Sequence, residues 1–223
     1  MKAILFGATG MIGQGVLREC LRDPEVTEVL SIVRRPTGVR DRKVREIVHA
    51  DFADFSGIER ELTGYDACLF CLGVSSAGMS EADYRRVTYD YALAAATVLA
   101  RRNPGMTFVF VSGTGTDATE KGRVMWARVK GATENAIRRL PFRAAYMFRP
   151  GYIQPLDGIR SRTPMTRALY AIAGPLYPLW KALFPSHVTT TEELGRAMIR
   201  VAARGFDKPI VESRDIAAVL RSR

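Results

Sequence analysis

Lys2-Ala-Ile-Leu-Phe6 followed by Gly7-Ala-Thr-Gly10-Met-Ile-Gly13 is a short apolar run, then three glycines spaced three apart. The residues that follow put Val16, Leu17, Cys20 and Leu21 on one helical face. The stretch reads as strand, tight turn and helix. Glycines allow the sharp turn and let a ligand approach the backbone with no Cβ in the way. The N–H groups of Met11, Ile12 and Gly13 lack intrahelical partners and stand at the positive end of the helix dipole, so they face an anion. With Gly7, Thr9 and Gly10 they form the turn that, in a βαβ unit, receives the pyrophosphate of a dinucleotide. The competing reading is a glycine-rich turn that only packs a helix on a sheet.

The rest of the chain keeps this alternation. Strand patterns fall near residues 27–33, 45–49, 67–71, 106–111 and 143–148, and helical patterns near 11–22, 80–101, 123–139 and 192–204. Strands alternating with helices predict an α/β fold, a doubly wound parallel sheet of the Rossmann type with helices on both faces. Such sheets bind ligands beyond the carboxyl ends of their strands. With 223 residues, one domain spanning 1–223 is expected, and at this size about 70% of the unfolded surface is buried. Residues 154–187 are rich in Pro, Leu, Tyr and Ala. They read as a small C-terminal lid over an apolar substrate or as a plain packed helix pair. A third, weaker reading is contact of 164–184 with a membrane surface. Gly174, Pro175 and Pro178 interrupt this apolar piece, which is too short to span a bilayer.

The net charge is +10, with a concentration at Arg34, Arg35, Arg40, Arg42, Lys43 and Arg45. A basic surface suits nucleic acid, acidic lipid or a phosphorylated cofactor. No helix-turn-helix, zinc-finger or RNA-binding aromatic motif accompanies it, so no nucleic-acid partner is expected. Cys68-Leu-Phe-Cys71 has the spacing of a redox or zinc pair, but in a strand residues three apart point to opposite faces. There is no second pair, and the histidines are His49 and His187; no metal site is expected. Three cysteines that cannot all pair, and a Lys2 that leads straight into a strand with no signal-peptide pattern, point to the cytoplasm.

The second strand, Val29-Leu-Ser-Ile-Val33, ends in Arg34-Arg35-Pro36. In this fold an acidic residue about 20 residues beyond the glycines binds the adenosine ribose, whereas an arginine there suits a 2′-phosphate. Arg34 and Arg35 therefore point to NADP(H) rather than NAD(H). The alternative is a solvated basic turn. Asp51 and Phe52, after the third strand, are placed to border the adenine, Asp51 accepting from the amino group and Phe52 packing beside it.

These stretches together resemble the short-chain dehydrogenase/reductase superfamily, in its extended or atypical branch with the Tat-interacting-protein-like and NmrA-like proteins. The likeness spans nearly the whole chain. Besides the glycine turn and Val33-Arg-Arg-Pro36, it rests on Cys71-Leu-Gly73, Val111-Ser-Gly-Thr114, Arg128-Val-Lys-Gly131, Phe148-Arg-Pro-Gly151 and Thr189-Thr-Thr-Glu-Glu193. The resemblance implies that Cys71, Leu72 and Gly73 line the cofactor and that Pro150, Gly151 and Ile153 lie beside the nicotinamide. It implies a Ser or Thr hydroxyl that holds a substrate carbonyl, here Ser112 or Thr114. It also implies a tyrosine that handles the proton and a lysine four residues later. Lys130 matches the lysine, which also binds the cofactor, and Glu134 matches an acidic residue often found four further on.

The tyrosine is absent. Trp126 stands four residues before Lys130, on the same helix face, and an indole N–H donates a hydrogen bond but does not release its proton. Thr88 likewise stands where the family often has an asparagine. Three readings follow. Tyr152 or Lys130 supplies the proton; or the chain binds NADP(H) without turnover and acts as a redox sensor; or the substrate needs no strong acid. Thr88 to Ala100 has little polar face, as in a helix buried on both sides. In related proteins this helix pairs with its copy, so homodimer and monomer both stay open.

Overall fold

The computed structural model describes residues 1–159, 177 and 187–221. Seven parallel strands form the central sheet: β1 (Lys2–Phe6), β2 (Glu28–Val33), β3 (Val44–Val48), β4 (Ala67–Phe70), β5 (Thr107–Val111), β6 (Ala144–Arg149) and β9 (Ile210–Glu212). Their order is β3-β2-β1-β4-β5-β6-β9. The strand order therefore reverses between β1 and β4, which opens a crevice at their carboxyl ends.

The period of two along each strand sorts the core into two layers. Ala3 and Leu5 of β1, with Ala67 and Leu69 of β4, face α1 (Met11–Arg22) and α5 (Thr191–Arg204). Ile4 and Phe6, with Cys68 and Phe70, face α3 (Tyr91–Arg102) and α4 (Met125–Arg138). On that second face Phe6 and Phe70 approach to 5.1 Å between ring centres and Phe70 and Phe108 to 5.9 Å. Cys68 and Cys71 fall in different layers, as the strand period requires, and all three thiols are free.

On the first face, α1 and α5 cross closely because glycine stands at the contact. A Cβ on Gly15 would lie 2.7 Å from Thr191 Cβ, and one on Gly195 3.0 Å from Glu19 Cγ. The start of α5 carries a capping box, in which Thr190 Oγ1 accepts from the Glu193 N–H at 3.0 Å and Glu193 Oε2 from the Thr190 N–H at 3.1 Å.

Four departures from the sequence reading concern elements. The expected helix over 80–101 is α2 (Glu81–Arg85), a π-helical turn over Arg86–Asp90, and then α3. A 3₁₀ helix, Ser56–Leu62, precedes β4. A second sheet pairs β7 (Tyr152–Gln154) with β8 (Val188–Thr190) in parallel, with Ile153 opposite Thr189. Finally, β9 leads into α6 (Ser213–Arg221). Residues 160–176 and 178–186, which hold most of the expected lid and of the membrane-contact stretch, lie outside the described residues. Among the described residues, no helix is long and apolar enough to cross a membrane. The outward side of α3 is not buried in the monomer: Thr97 is exposed, and Leu93, Ala94 and Val98 are half-buried.

Candidate functional site: a dinucleotide cleft

The three glycines of the first turn do different jobs. Gly7 has φ +83°, and a Cβ on it would lie 2.6 Å from the Leu72 nitrogen, so the turn and the end of β4 touch backbone to backbone. A Cβ on Gly13 would fall on the Gly7 carbonyl oxygen and within 2.6 Å of its carbon. Gly13 therefore seats α1 on β1. Gly10 caps the helix with no side-chain hydrogen bond, and a Cβ there would meet nothing nearer than the Gly7 oxygen at 3.3 Å. The space over Gly10 is open, a cradle that a side chain would fill. It fits a pyrophosphate at a helix N-terminus.

Beside this turn lies a cleft of about 450 Å³ lined by Gly7, Thr9, Arg34, Arg35, Phe52 and Leu72, together with Ile32, Val33 and Ala50. The fold thus brings these six expected residues to one place. Arg34 and Arg35 are exposed. Glu46, the nearest acidic residue along β3, is engaged by the N–H and hydroxyl of Thr37. Phe52 is buried, its ring 6.2 Å from that of Phe6. Asp51 does not line the cleft; its Oδ1 accepts the Ala53 N–H at 2.9 Å, and Ala50 borders the space instead. The Cys71 thiol is turned into the core, where burial pushes its pKa up. Gly73 is exposed, with open space around it.

The carboxyl ends of β5 and β6 carry a second group of expected residues, none of which lines this cleft. Lys130 Nζ, on α4, donates to the Ser112 carbonyl oxygen at 2.7 Å. Burial lowers the lysine to about 8, against the pull of Glu134 one turn on. That pull is blunted, because Glu134 is 1% exposed and accepts from Arg149 Nε at 3.0 Å and Nη2 at 2.6 Å. Arg149 Nη1 reaches Glu212 at 3.4 Å. The Ser112 hydroxyl shares a 2.7 Å hydrogen bond with Thr116 Oγ1. Thr114 is exposed; its hydroxyl donates to the Arg149 oxygen at 3.1 Å and its N–H to the Pro150 oxygen at 3.0 Å.

Trp126 is half-buried, and a Cβ on Gly115 would lie 3.6 Å from its Cη2, so the indole rests against the loop that carries Thr114. Tyr152, on β7, donates its hydroxyl to Gln154 Oε1 at 2.8 Å, and burial raises its pKa. Ile153 is buried, and Gly151 packs against the His187 oxygen, 2.5 Å from a Cβ placed there. Met11 and Ile12 lean on the core. Thr88 lies in the π-helical turn with its side chain buried. Two features carry no signal in the sequence. Thr116 meets Ser112 only because the loop after β5 folds back, and the Glu134–Arg149 pair joins residues on different elements that no sequence pattern links. No group of three or more His, Cys, Asp or Glu suited to a metal occurs among the described residues.

Residues 7–143 match the sequence family described as NAD(P)H-binding. The chain belongs to this NAD(P)H-binding family. A curated relative, the FMP52 protein of Debaryomyces hansenii, is 27% identical over 228 residues, covering 96% of this chain and 94% of that protein. The FMP52-1 protein of Scheffersomyces stipitis is 25% identical over 222 residues, covering 95% and 94%. Both are named as mitochondrial proteins, as is the relative from Emericella nidulans. These names contradict the cytoplasmic location read from the sequence, and that reading is corrected here. Unpaired cysteines report reducing surroundings, which are not unique to one compartment.

Among solved structures, a short-chain dehydrogenase/reductase family oxidoreductase from Burkholderia thailandensis aligns with TM-score 0.68 at 14% identity, over 97% of this chain and 92% of that one. WbmF of Bordetella bronchiseptica, solved in complex with NAD+, aligns with TM-score 0.66 at 14% identity, over 97% and 76%. These likenesses show that this NAD(P)H-binding chain has the short-chain dehydrogenase/reductase fold.

Proposed function

We propose that the chain is an NADP(H)-dependent reductase of an apolar carbonyl or enone, in which Lys130 replaces the absent tyrosine as the proton donor. The observation that carries this reading is the state of Lys130. It stands at the carboxyl end of the sheet, where ligands of this fold bind, with a pKa lowered to about 8. A general acid works best with a pKa near the operating pH. Trp126 cannot fill the role, and the Tyr152 phenol is shifted away from neutrality.

A reduced nicotinamide, when bound, supplies a hydride. The chain's residues supply the rest. Gly10 and the first turn of α1 receive the pyrophosphate. Arg34 and Arg35 hold a 2′-phosphate in a cleft whose lining, among the described residues, includes no carboxylate. Thr114, the more exposed of the two candidate hydroxyls, orients the substrate oxygen, and Lys130 Nζ delivers a proton to it. Val74 and Val124 are large apolar residues left exposed on the loops after β4 and β5, which favours an apolar substrate.

The test is NADPH oxidation against a panel of apolar aldehydes, ketones and enones, with Lys130→Met as the control. Turnover that is lost in Lys130→Met supports the reading. NADPH binding without turnover on any substrate favours the redox-sensor reading, for which the absent tyrosine is the specific observation.

A further inference from the structure

The loop that leaves β2 carries Arg34, Arg35, Arg40 and Arg42, all exposed, and returns as β3 with Glu46. Among the described residues none of these four guanidinium groups pairs with a carboxylate, although the loop has two acids at hand. Both acids are taken by neutral donors. Asp41 Oδ1 accepts the Lys43 N–H at 2.8 Å. Glu46 is taken by Thr37, whose N–H donates to Oε1 at 3.2 Å and to Oε2 at 3.3 Å and whose hydroxyl donates to Oε1. The same hydroxyl accepts the Val39 N–H at 3.1 Å, which leaves its proton directed at Glu46. Arg34, Arg35 and Pro36 are the three residues between the end of β2 and Thr37, so the pinned carboxylate is no more than about 11 Å of chain from either arginine. Thr37 also borders a cavity that meets the dinucleotide cleft at Thr9.

A guanidinium fork accepts a carboxylate as readily as a phosphate. A carboxylate left free beside Arg34 and Arg35 therefore acts against a 2′-phosphate twice: it forms an internal pair that the ligand must break, and it repels the incoming anion. Resting on the NADP(H) reading of this cleft, we propose that Thr37 is a specificity-determining positioning residue, which occupies Glu46 and so leaves both arginines to the 2′-phosphate. Thr37 acts through Glu46. Its N–H and O–H satisfy the carboxylate oxygens without spending a positive charge, so the guanidinium groups stay unpaired until a ligand arrives. NADH has no 2′-phosphate and gains nothing from this arrangement.

The experiment is calorimetric titration of the full chain and its variants with NADPH and with NADH. Thr37→Val keeps the shape and the N–H but removes the hydroxyl. Its NADPH affinity is expected to fall by about fivefold or more, the equivalent of the ~1 kcal/mol that an exposed ion pair reaches, while its NADH affinity stays at the parent's value. Adding Glu46→Gln to Thr37→Val removes the competing charge and restores NADPH binding, and Thr37→Ser, which keeps the hydroxyl, binds as the parent does. A merely structural role would weaken both dinucleotides alike and would not be rescued by Glu46→Gln. In a parent that prefers NADPH, an unchanged preference in Thr37→Val, an equal loss for both dinucleotides, or no recovery in the double variant overturns the role of Thr37 and leaves the cofactor reading standing. A parent with no preference overturns the cofactor reading, and the role of Thr37 with it.

Discussion

Gly10→Ala and Gly13→Ala make the same chemical change three residues apart, and the structure assigns them opposite consequences. At Gly10 the backbone has φ −82° and ψ 165°, which alanine adopts freely. The added methyl meets only the Gly7 oxygen at 3.3 Å, a contact relieved by a shift of a few tenths of an ångström. The unfolded chain meanwhile loses entropy worth about 0.4–1 kcal/mol in favour of folding. Net stability should therefore change by less than about 1 kcal/mol, or roughly 2–4 °C in Tm for a domain of this size. The methyl nevertheless stands where the pyrophosphate must approach, so NADPH affinity should fall by about tenfold or more, a loss of at least ~1.4 kcal/mol.

At Gly13 the methyl falls on the Gly7 carbonyl and within 2.9 Å of Ala8 Cα. These are backbone atoms that cannot rotate away, and overpacking of this kind costs about 1–3 kcal/mol or more. Gly13→Ala should melt roughly 2–12 °C lower. Thermal unfolding and NADPH calorimetry on both variants separate the two effects. A Gly10→Ala chain that binds NADPH as the parent does, or a Gly13→Ala chain that melts with the parent, would refute the assignment.

Three further outcomes follow from the residues around Lys130. If Lys130 delivers the proton as an ammonium, carbonyl reduction should fall as pH rises through about 8. Its folded pKa lies below the ordinary 10.5, so the unfolded state binds more protons between those values, and unfolding free energy should rise with pH from about 8 to 10.5 in the parent but not in Lys130→Met. A flat rate profile and identical stability profiles would count against a lowered Lys130. Arg149→Met leaves Glu134 buried and unpaired, which should cost about 3–5 kcal/mol in denaturant unfolding. Adding Glu134→Gln should recover most of that loss, and a small loss in the single variant would show the pair to be dispensable. Trp126→Tyr should raise carbonyl reductase activity if the rest of the site retains the family geometry; unchanged activity would place the divergence deeper than one residue.

Much of the frame could be read from residue order alone. Apolar runs such as Lys2–Phe6 and Thr107–Val111 have one interpretation once helices alternate with them, and the glycine spacing located the turn before α1. The short strands Tyr152–Gln154 and Val188–Thr190 could not be read, because three residues carry no periodicity and their pairing joins segments far apart in the chain. The π-helical turn at Arg86–Asp90 was likewise hidden, since one widened turn barely alters a helical apolar pattern. In the site, Arg34 and Arg35 were legible because a strand end fixes where they emerge. The engagement of Asp51 with Ala53 was not, because an aspartate that binds its own turn looks in sequence like one free for a ligand. The exchange between Ser112 and Thr116 was hidden for a related reason, as it depends on how the loop after β5 curls back.

Calorimetric binding of NADPH against NADH tests the central claim most directly. Each charge-assisted hydrogen bond to a 2′-phosphate is worth about 1.5–3 kcal/mol, or roughly 10- to 150-fold. NADPH should therefore bind at least about tenfold tighter than NADH, and Arg34→Ala with Arg35→Ala should erase the difference while leaving NADH affinity in place. Equal affinities in the parent chain, or no heat from either dinucleotide at millimolar concentration, would contradict it.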